Sequence, residues 1–251
     1  MDFFKSAQAV NRFEYVDQTG STNTDLVAAA AADPSQYPHL SVLVAGSQTA
    51  GRGRTGRAWV SPAGKSLSIS VLVRPEGWAT ENFGWLPLVA GVAMRRAVQA
   101  ALPHKSVGLK WPNDVQVEGL KISGILSELL PGATGVVVGA GVNLTLEKDE
   151  LPIEAATSLK LEGSEISPDD FLVSYLSELA ALVQNFDDVP AMVRAECSTI
   201  GQTVRAIFPD GSERIGLASG IDDLGRLLIS APGENQLLAV SAADIQHLRH
   251  N

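Results

Sequence analysis

The sequence predicts an α+β chain in two parts, a larger unit over residues 1–200 and a small β-barrel of SH3 type over residues 201–251. Three observations predict it. Apolar runs of strand length share the first part with two long stretches of helical period, Gly84–Leu102 and Pro168–Phe186. After Ile200-Gly201 the runs shorten and turn clusters separate them, the pattern of a small all-β unit. The chain has 251 residues and is 45% hydrophobic, enough for one large domain or a medium one with a small companion.

In chain order, residues 1–12 place Phe3, Phe4, Ala7 and Val10 at helical spacing, a short helix resting on the main body. Phe13–Asp17 reads as a strand. The polar cluster Thr19–Asp25 leads into an alanine-rich helix, Leu26–Ala32, ended by Asp33-Pro34. Ser21, Thr22 or Asn23 can cap that helix, yet one cap suffices and three such side chains stand in a row. Leu40–Ala45 and Ser66–Val73 are strands flanking a long loop. In Gly84–Leu102 an apolar stripe from Leu86 to Ala101 faces the core. Val107–Trp111 is a strand stopped by Pro112-Asn113-Asp114, since a proline holds the residue before it out of helix. Val115–Val117 and Lys121–Leu130 form a hairpin about Glu118-Gly119. Pro131-Gly132 turns the chain into Gly135–Leu144. One face of that strand is core; the other reads Val137, Gly139, Gly141, Asn143. Two absent side chains followed by an amide suit either a closely packed neighbour or the floor of a ligand site. A connection over 147–168, the helix Pro168–Phe186 and a helical segment from Val189 to Ser198 complete the larger part. The barrel strands are Thr203–Phe208, Glu213–Ile221, Leu227–Ser230 and Leu237–Ser241, joined at Pro209–Gly211, Asp222–Gly225 and Pro232–Glu234. The boundary falls at residues 199–202.

A formal net charge of −9 argues against a broad nucleic-acid-binding surface. The single cysteine, Cys197, excludes an internal disulfide, and the four histidines show no metal-ligand spacing, so no metal site is expected. No signal peptide or bilayer-length apolar run is evident, and a cytoplasmic protein without membrane association is expected.

The loop Gly46–Gly64 interleaves Arg52, Arg54 and Arg57 with Gly51, Gly53 and Gly56, and from Ser47 to Arg57 it has no large apolar residue. Glycine allows close backbone approach and arginine presents a fork of donors matched to carboxylate or phosphate. A strand follows the loop, so it is not a phosphate-binding loop that opens a helix. A solvated basic loop and a clamp that orders around an anion both fit. Lys110 alternates with the core residues Leu109 and Trp111 and faces the side that Gly108 keeps open; Lys121 is either a solvated edge residue or a second cation of the same site. No nucleophile with an adjacent base can be assembled. The remaining chemistry is that of cations and amides bringing two anions together. A carboxylate approaching a phosphate meets repulsion of about 4 kcal/mol per charge pair at about 4 Å and an effective dielectric of about 20. Neutralisation and alignment are then the catalytic tasks.

Gly20–Asn23, Gln48–Arg57, Lys110–Asp114, Lys121–Leu126 and Gly139–Asn143 together resemble the ordered motif set of biotin–protein ligases, from about residue 14 to the C-terminus. The resemblance implies a mixed β-sheet catalytic domain of the biotin/lipoate ligase type with a small SH3-like β-barrel. It implies that biotin and MgATP form biotinoyl-5′-AMP, which biotinylates a lysine of a biotin carboxyl carrier domain. It assigns Ser21, Thr22, Asn23 and Gln48 to the ureido ring, and Arg52, Gly53, Arg54, Lys121 and Gly124 to the rest of biotin and its activated carboxylate. Lys110 and Asn113 would serve the phosphates with Arg54, Trp59 would stack on adenine, and Asn143 would meet its edge; Asp114 would cap its turn. Arg52, Lys110 and Lys121 carry the catalytic role in this reading. The form expected lacks an N-terminal DNA-binding domain, with a monomer or weak homodimer as its assembly. The rivals are a lipoate or octanoate ligase, a biotin-responsive repressor and a non-catalytic binding protein of the same fold.

Overall fold

The structure, a computed structural model, describes residues 2–60, 62–231 and 236–248. Seven strands form the main sheet: β1 (Arg12–Val16), β2 (Ser41–Ala45), β3 (Ser66–Val73), β4 (Val107–Lys110), β5 (Asp114–Val117), β6 (Leu120–Leu129) and β7 (Val136–Asn143). Their order is β1-β2-β3-β7-β6-β5-β4. β1 and β2 are parallel while the other neighbours are antiparallel, which makes the sheet mixed. The β5–β6 hairpin turns at Glu118 and Gly119, both with positive φ (50° and 83°), as a two-residue primed turn requires.

The helices are α1 (Phe4–Gln8), α2 (Thr22–Ala32), α3 (Leu86–Ala101), α4 (Pro168–Leu182) and α5 (Val189–Glu196). Strand period two sorts the β3 side chains. Leu67, Ile69 and Val71 join Val138, Ala140 and Val142 of β7 in the core under α3, with α4 packed outside it. Ser66, Ser68 and Ser70 lie on the opposite face, in register with Asn143, Gly141 and Gly139. α2 covers one end of that second face through Leu26, Ala30, Leu43, Leu72, Leu130 and Val137. Beyond α2 the face is small and polar, and it is left to the site.

Two expectations change here. α1 rests on the core through Phe3, which packs on Phe13 and Tyr15, while Phe4 is 67% exposed; so short a helix buries one side only. The C-terminal part is a five-stranded antiparallel sheet, ordered β11-β10-β9-β8-β12, from β8 (Thr203–Ile207), β9 (Glu213–Ile221), β10 (Leu227–Ser230), β11 (Leu238–Val240) and β12 (Asp244–His247). Its end strands β11 and β12 do not pair among the described residues, so a closed barrel is not formed by these ladders. β12 escaped the sequence reading because Ile245 is its one large apolar residue. The expected turn Pro232–Glu234 lies outside the described residues.

The two sheets share one core. Ala206, Ile221, Leu227, Ile229, Val240 and Ile245 are continuous with α3, Trp85 and Trp111. The turn at 222–225 accepts hydrogen bonds from Trp85 Nε1 (to Asp223 O, 3.0 Å) and Trp111 Nε1 (to Gly225 O, 3.0 Å). Arg194 Nε donates to Ile221 O at 2.7 Å beside them.

Candidate active site

A cavity of about 440 Å³ lies between the polar sheet face, the arginine loop, the 145–167 connection and the edge of the C-terminal sheet. Its lining includes every residue that the sequence singles out for ligand contact: Ser21, Thr22, Asn23, Gln48, Arg52, Gly53, Arg54, Trp59, Lys110, Asn113, Lys121, Gly124 and Asn143.

The N-terminus of α2 forms one end. Ser21 is the N-cap residue, extended at φ −156°, but its side chain makes no capping bond. The cap comes from the loop instead: Gln48 Oε1 accepts from Thr22 N–H at 2.8 Å and faces Thr22 Oγ1 at 3.1 Å. This leaves the Ser21 hydroxyl available to a ligand. Asn23 is buried, with Nδ2 donating to Leu126 O at 2.9 Å and Oδ1 accepting from Ser70 Oγ at 2.6 Å. It occupies the space of the missing side chain at Gly139, where a Cβ would overlap its amide.

The loop is folded rather than splayed. Arg52 bridges Ala58, and Trp59 N–H donates to Gly51 O at 2.9 Å, closing a small hairpin whose tip carries positive φ at Thr55 and Gly56. Arg52 pairs with Glu128, Arg57 pairs with Asp244 of β12, and Arg54 Nη1 donates to Asn113 Oδ1 at 3.4 Å. Burial pushes the Arg54 guanidinium below its ordinary value, although Asp244 and Asp114 oppose the shift. The Trp59 ring fills the space above Gly141 and Gly124, and its Nε1–H is buried without a hydrogen-bond partner. An orphaned donor of that kind is costly.

Lys121 Nζ lies 2.7 Å from Asp114 Oδ1, so it is neither a solvated edge residue nor free, and Asp114 is its partner rather than a turn cap alone. Lys110 is half-buried, and desolvation lowers its pKa against the pull of Asp114. Gly108 does not keep a side open for it. A Cβ there would stand 2.7 Å from Ser198 Oγ, so this glycine admits the segment that leads into the second sheet. Asn143 is also already engaged: Nδ2 donates to Thr157 O at 2.9 Å and Oδ1 faces Ser66 Oγ at 3.5 Å. It shapes the floor and ties down the connection.

Residues 15–143 match the biotin/lipoate A/B protein ligase family, and residues 199–248 match the biotin protein ligase C-terminal domain. A biotin–[acetyl-CoA-carboxylase] ligase of Mycobacterium tuberculosis is 39% identical over 246 residues, covering 95% of this chain and 90% of that protein. The chain belongs to the biotin/lipoate A/B protein ligase family. A biotin–[acetyl-CoA-carboxylase] ligase of Paracoccus denitrificans is 34% identical, covering 78% of this chain and 86% of its own length. The biotin protein ligase of Aquifex aeolicus, solved in complex with biotin and ATP, superposes with a TM-score of 0.78 at 25% identity, covering 95% of this chain and 100% of that one.

Within this biotin/lipoate ligase framework several lining residues were not singled out from sequence. Ser68 lines the cavity beside Gly141, its cross-strand neighbour, and behind the lining Ser66 and Ser70 hold Asn143 and Asn23. Their signal is the alternation Ser-Leu-Ser-Ile-Ser, which is polar on one face only. Asp244, Ile245 and Gln246 bring β12 to the cavity and carry no comparable signal. Cys197 is buried, and desolvation raises its thiol pKa, as for an inert packed cysteine.

Proposed function

We infer that the chain is an ATP-dependent ligase that activates biotin as biotinoyl-5′-AMP and transfers biotin to a specific lysine of a biotin carboxyl carrier domain. One observation carries the reading. A single cavity joins an amide- and hydroxyl-lined end at Ser21, Thr22, Asn23 and Gln48 to a cationic end at Arg52, Arg54, Lys110 and Lys121. The first end suits a neutral head with donors and acceptors. The second suits a carboxylate meeting a polyphosphate. Family membership and the biotin and ATP of the Aquifex aeolicus complex point the same way.

In the first step a biotin carboxylate oxygen attacks the α-phosphorus of ATP and the bond to the β-phosphate oxygen breaks, releasing pyrophosphate. Lys121 and Arg52 give up Asp114 and Glu128 for the acyl phosphate, while Lys110, Arg54 and Asn113 hold the phosphates. Trp59 supplies a stacking face for adenine and Asn143 borders its edge, a contact of a type worth about 1–3 kcal/mol. In the second step the carrier lysine amine attacks the acyl carbon, the bond to AMP breaks and the amine proton is lost. The nucleophile is the partner's, which agrees with a cavity whose described lining contains no cysteine and no histidine to act as nucleophile or base. Mg2+ enters with ATP; no three His, Cys, Asp or Glu side chains cluster as a resident metal site among the described residues.

The division into a catalytic unit, 1–200, and a C-terminal unit, 201–251, is supported by the second sheet beginning at Thr203. An SH3-like course of that sheet is supported by its five antiparallel strands. We place the ligase in the cytoplasm as a monomer or weak homodimer acting without nucleic acid; no helix long and apolar enough to cross a membrane occurs among the described residues. The test is mass spectrometry of a carrier domain incubated with the protein, MgATP and biotin or lipoate. Biotin adds to one lysine in the supporting result. Lipoate incorporation in its place, or none, rejects the reading.

A further inference from the structure

A set of contacts outside the ligand cavity ends at Lys110. β4, which Lys110 terminates, is an edge strand of the main sheet. The linker between the two sheets closes that edge. Cys197 bridges Leu109 in parallel, and both Ser198 N–H (2.9 Å) and Ser198 Oγ (3.0 Å) donate to Leu109 O. One residue further, Trp111 N–H donates to Thr199 Oγ1 at 3.0 Å. Thr199 is fully buried, and its Oγ1 lies 3.1 Å from His247 Nε2 on β12. The Lys110–Trp111 peptide is thereby fixed to the C-terminal sheet through one hydroxyl.

We propose that Thr199 is a positioning residue for the phosphate end of the site, transmitting the placement of β12 to Lys110. This rests on the reading of Lys110 as a phosphate ligand. An ammonium on a four-carbon stem reaches a fixed point only if its backbone is fixed, and the peptide that follows Lys110 is oriented by where its N–H is bound. The Thr199 hydroxyl suits that task because it can accept from Trp111 and donate onward at once. Its contact with His247 Nε2 runs in either direction according to the imidazole tautomer. Burial, and then the charge of Lys110, hold His247 below the ordinary imidazole range and so favour the neutral ring. Nothing in this relay touches the biotin end, so its loss separates the two substrates.

The test measures pyrophosphate release with ATP and biotin varied separately, and biotin affinity by calorimetry. Thr199→Val keeps the branched shape and removes the hydroxyl; it lowers kcat/KM for ATP roughly tenfold and leaves the biotin Kd within about twofold. Thr199→Ser restores the rate. In a Lys110→Met background the valine substitution adds nothing further, since residues acting through one contact are not additive. His247→Phe, which leaves the Thr199–Trp111 bond in place, gives the same ATP-selective loss in smaller measure and serves if the valine variant does not fold. Equal losses for both substrates, no rescue by serine, or additivity with Lys110→Met would overturn the proposal. A Lys110→Met enzyme with normal ATP kinetics would sink the reading of Lys110 as well. An impaired Lys110→Met beside an unaffected Thr199→Val would sink the relay alone.

Discussion

Lys121 and Arg52 each stand in the cavity against a carboxylate, Asp114 and Glu128, and both pairs are partly exposed. Such pairs contribute little to folding, about 0–1 kcal/mol, so their lysine and arginine can be removed without loss of structure. Lys121→Ala and Arg52→Ala are therefore expected to retain the native melting temperature and to slow adenylate formation by about 10²–10³, the effect of deleting one preorganised donor. Near-normal rates in both variants, followed by pyrophosphate release, would remove these residues from the chemistry. Lys110 makes a separate, pH-dependent statement. Desolvation holds it below the ordinary lysine value of 10.5, which means its charged form opposes folding, an effect that fades as pH rises through the depressed pKa towards 10.5. A bound phosphate raises the pKa again. Between the two values ATP binding takes up a proton, and above the phosphate-bound one the contribution of Lys110 disappears. Titration calorimetry at alkaline pH in buffers of different ionisation enthalpy should show this uptake in the wild type and lose it in Lys110→Met. Lys110 was legible because it alternates with the core residues Leu109 and Trp111, whereas the pattern around Lys121 fitted a solvated edge residue equally and only the family resemblance placed it in the site. Asp244 was not legible, because a carboxylate on a short polar strand acquires meaning only when folding sets it beside Arg57.

At the scale of elements, the arginine loop and α2 form one device. Gln48, held by the bridge between its residue and Thr19, supplies the acceptor that the first turn of α2 lacks from its own N-cap residue. Gln48→Ala should then destabilise the ligand-free protein by about 1 kcal/mol, the usual worth of a cap, which for a chain of this size lowers the melting temperature by roughly 2–4 °C. Differential scanning fluorimetry without biotin isolates this effect; an unchanged melting temperature would leave Gln48 with a ligand role alone. The helices and most strands could be read from periodicity, since α3 and β3 each commit one face to the core. The start of α2 could not, because its first turn is polar and is capped from 26 residues away in sequence, whereas its end at Ala32 was marked by Asp33-Pro34. Closure of the second sheet was overread for a related reason: turn spacing announces short strands, but which ends pair depends on backbone hydrogen bonds that leave no mark on side-chain pattern.

For the whole molecule the decisive fact is that the sequence boundary at 199–202 does not divide the core. Apolar residues of β8, β9, β10 and β12 pack into the same cluster as α3, and Trp85, Trp111 and Arg194 reach across to the backbone at 221–225. Removing the C-terminal part would strip those donors of their partners and expose core surface, at roughly 25 cal/mol per Å² of apolar area. Truncation near residue 200 therefore tests folding before it tests function, and substitutions at the junction are the cleaner probe. The expected outcome for the intact chain is one cooperative thermal transition, with the calorimetric and van't Hoff enthalpies equal. Trp111→Phe, which keeps one buried aromatic ring and deletes the bond to Gly225 together with the rest of the indole, should move that single transition down without splitting it, by about 1–3 kcal/mol for a buried carbonyl left unsatisfied plus the cost of the cavity. Two resolved transitions in either protein would show that the C-terminal sheet folds by itself, and that its contact with the Lys110 strand is a docking event rather than part of one core.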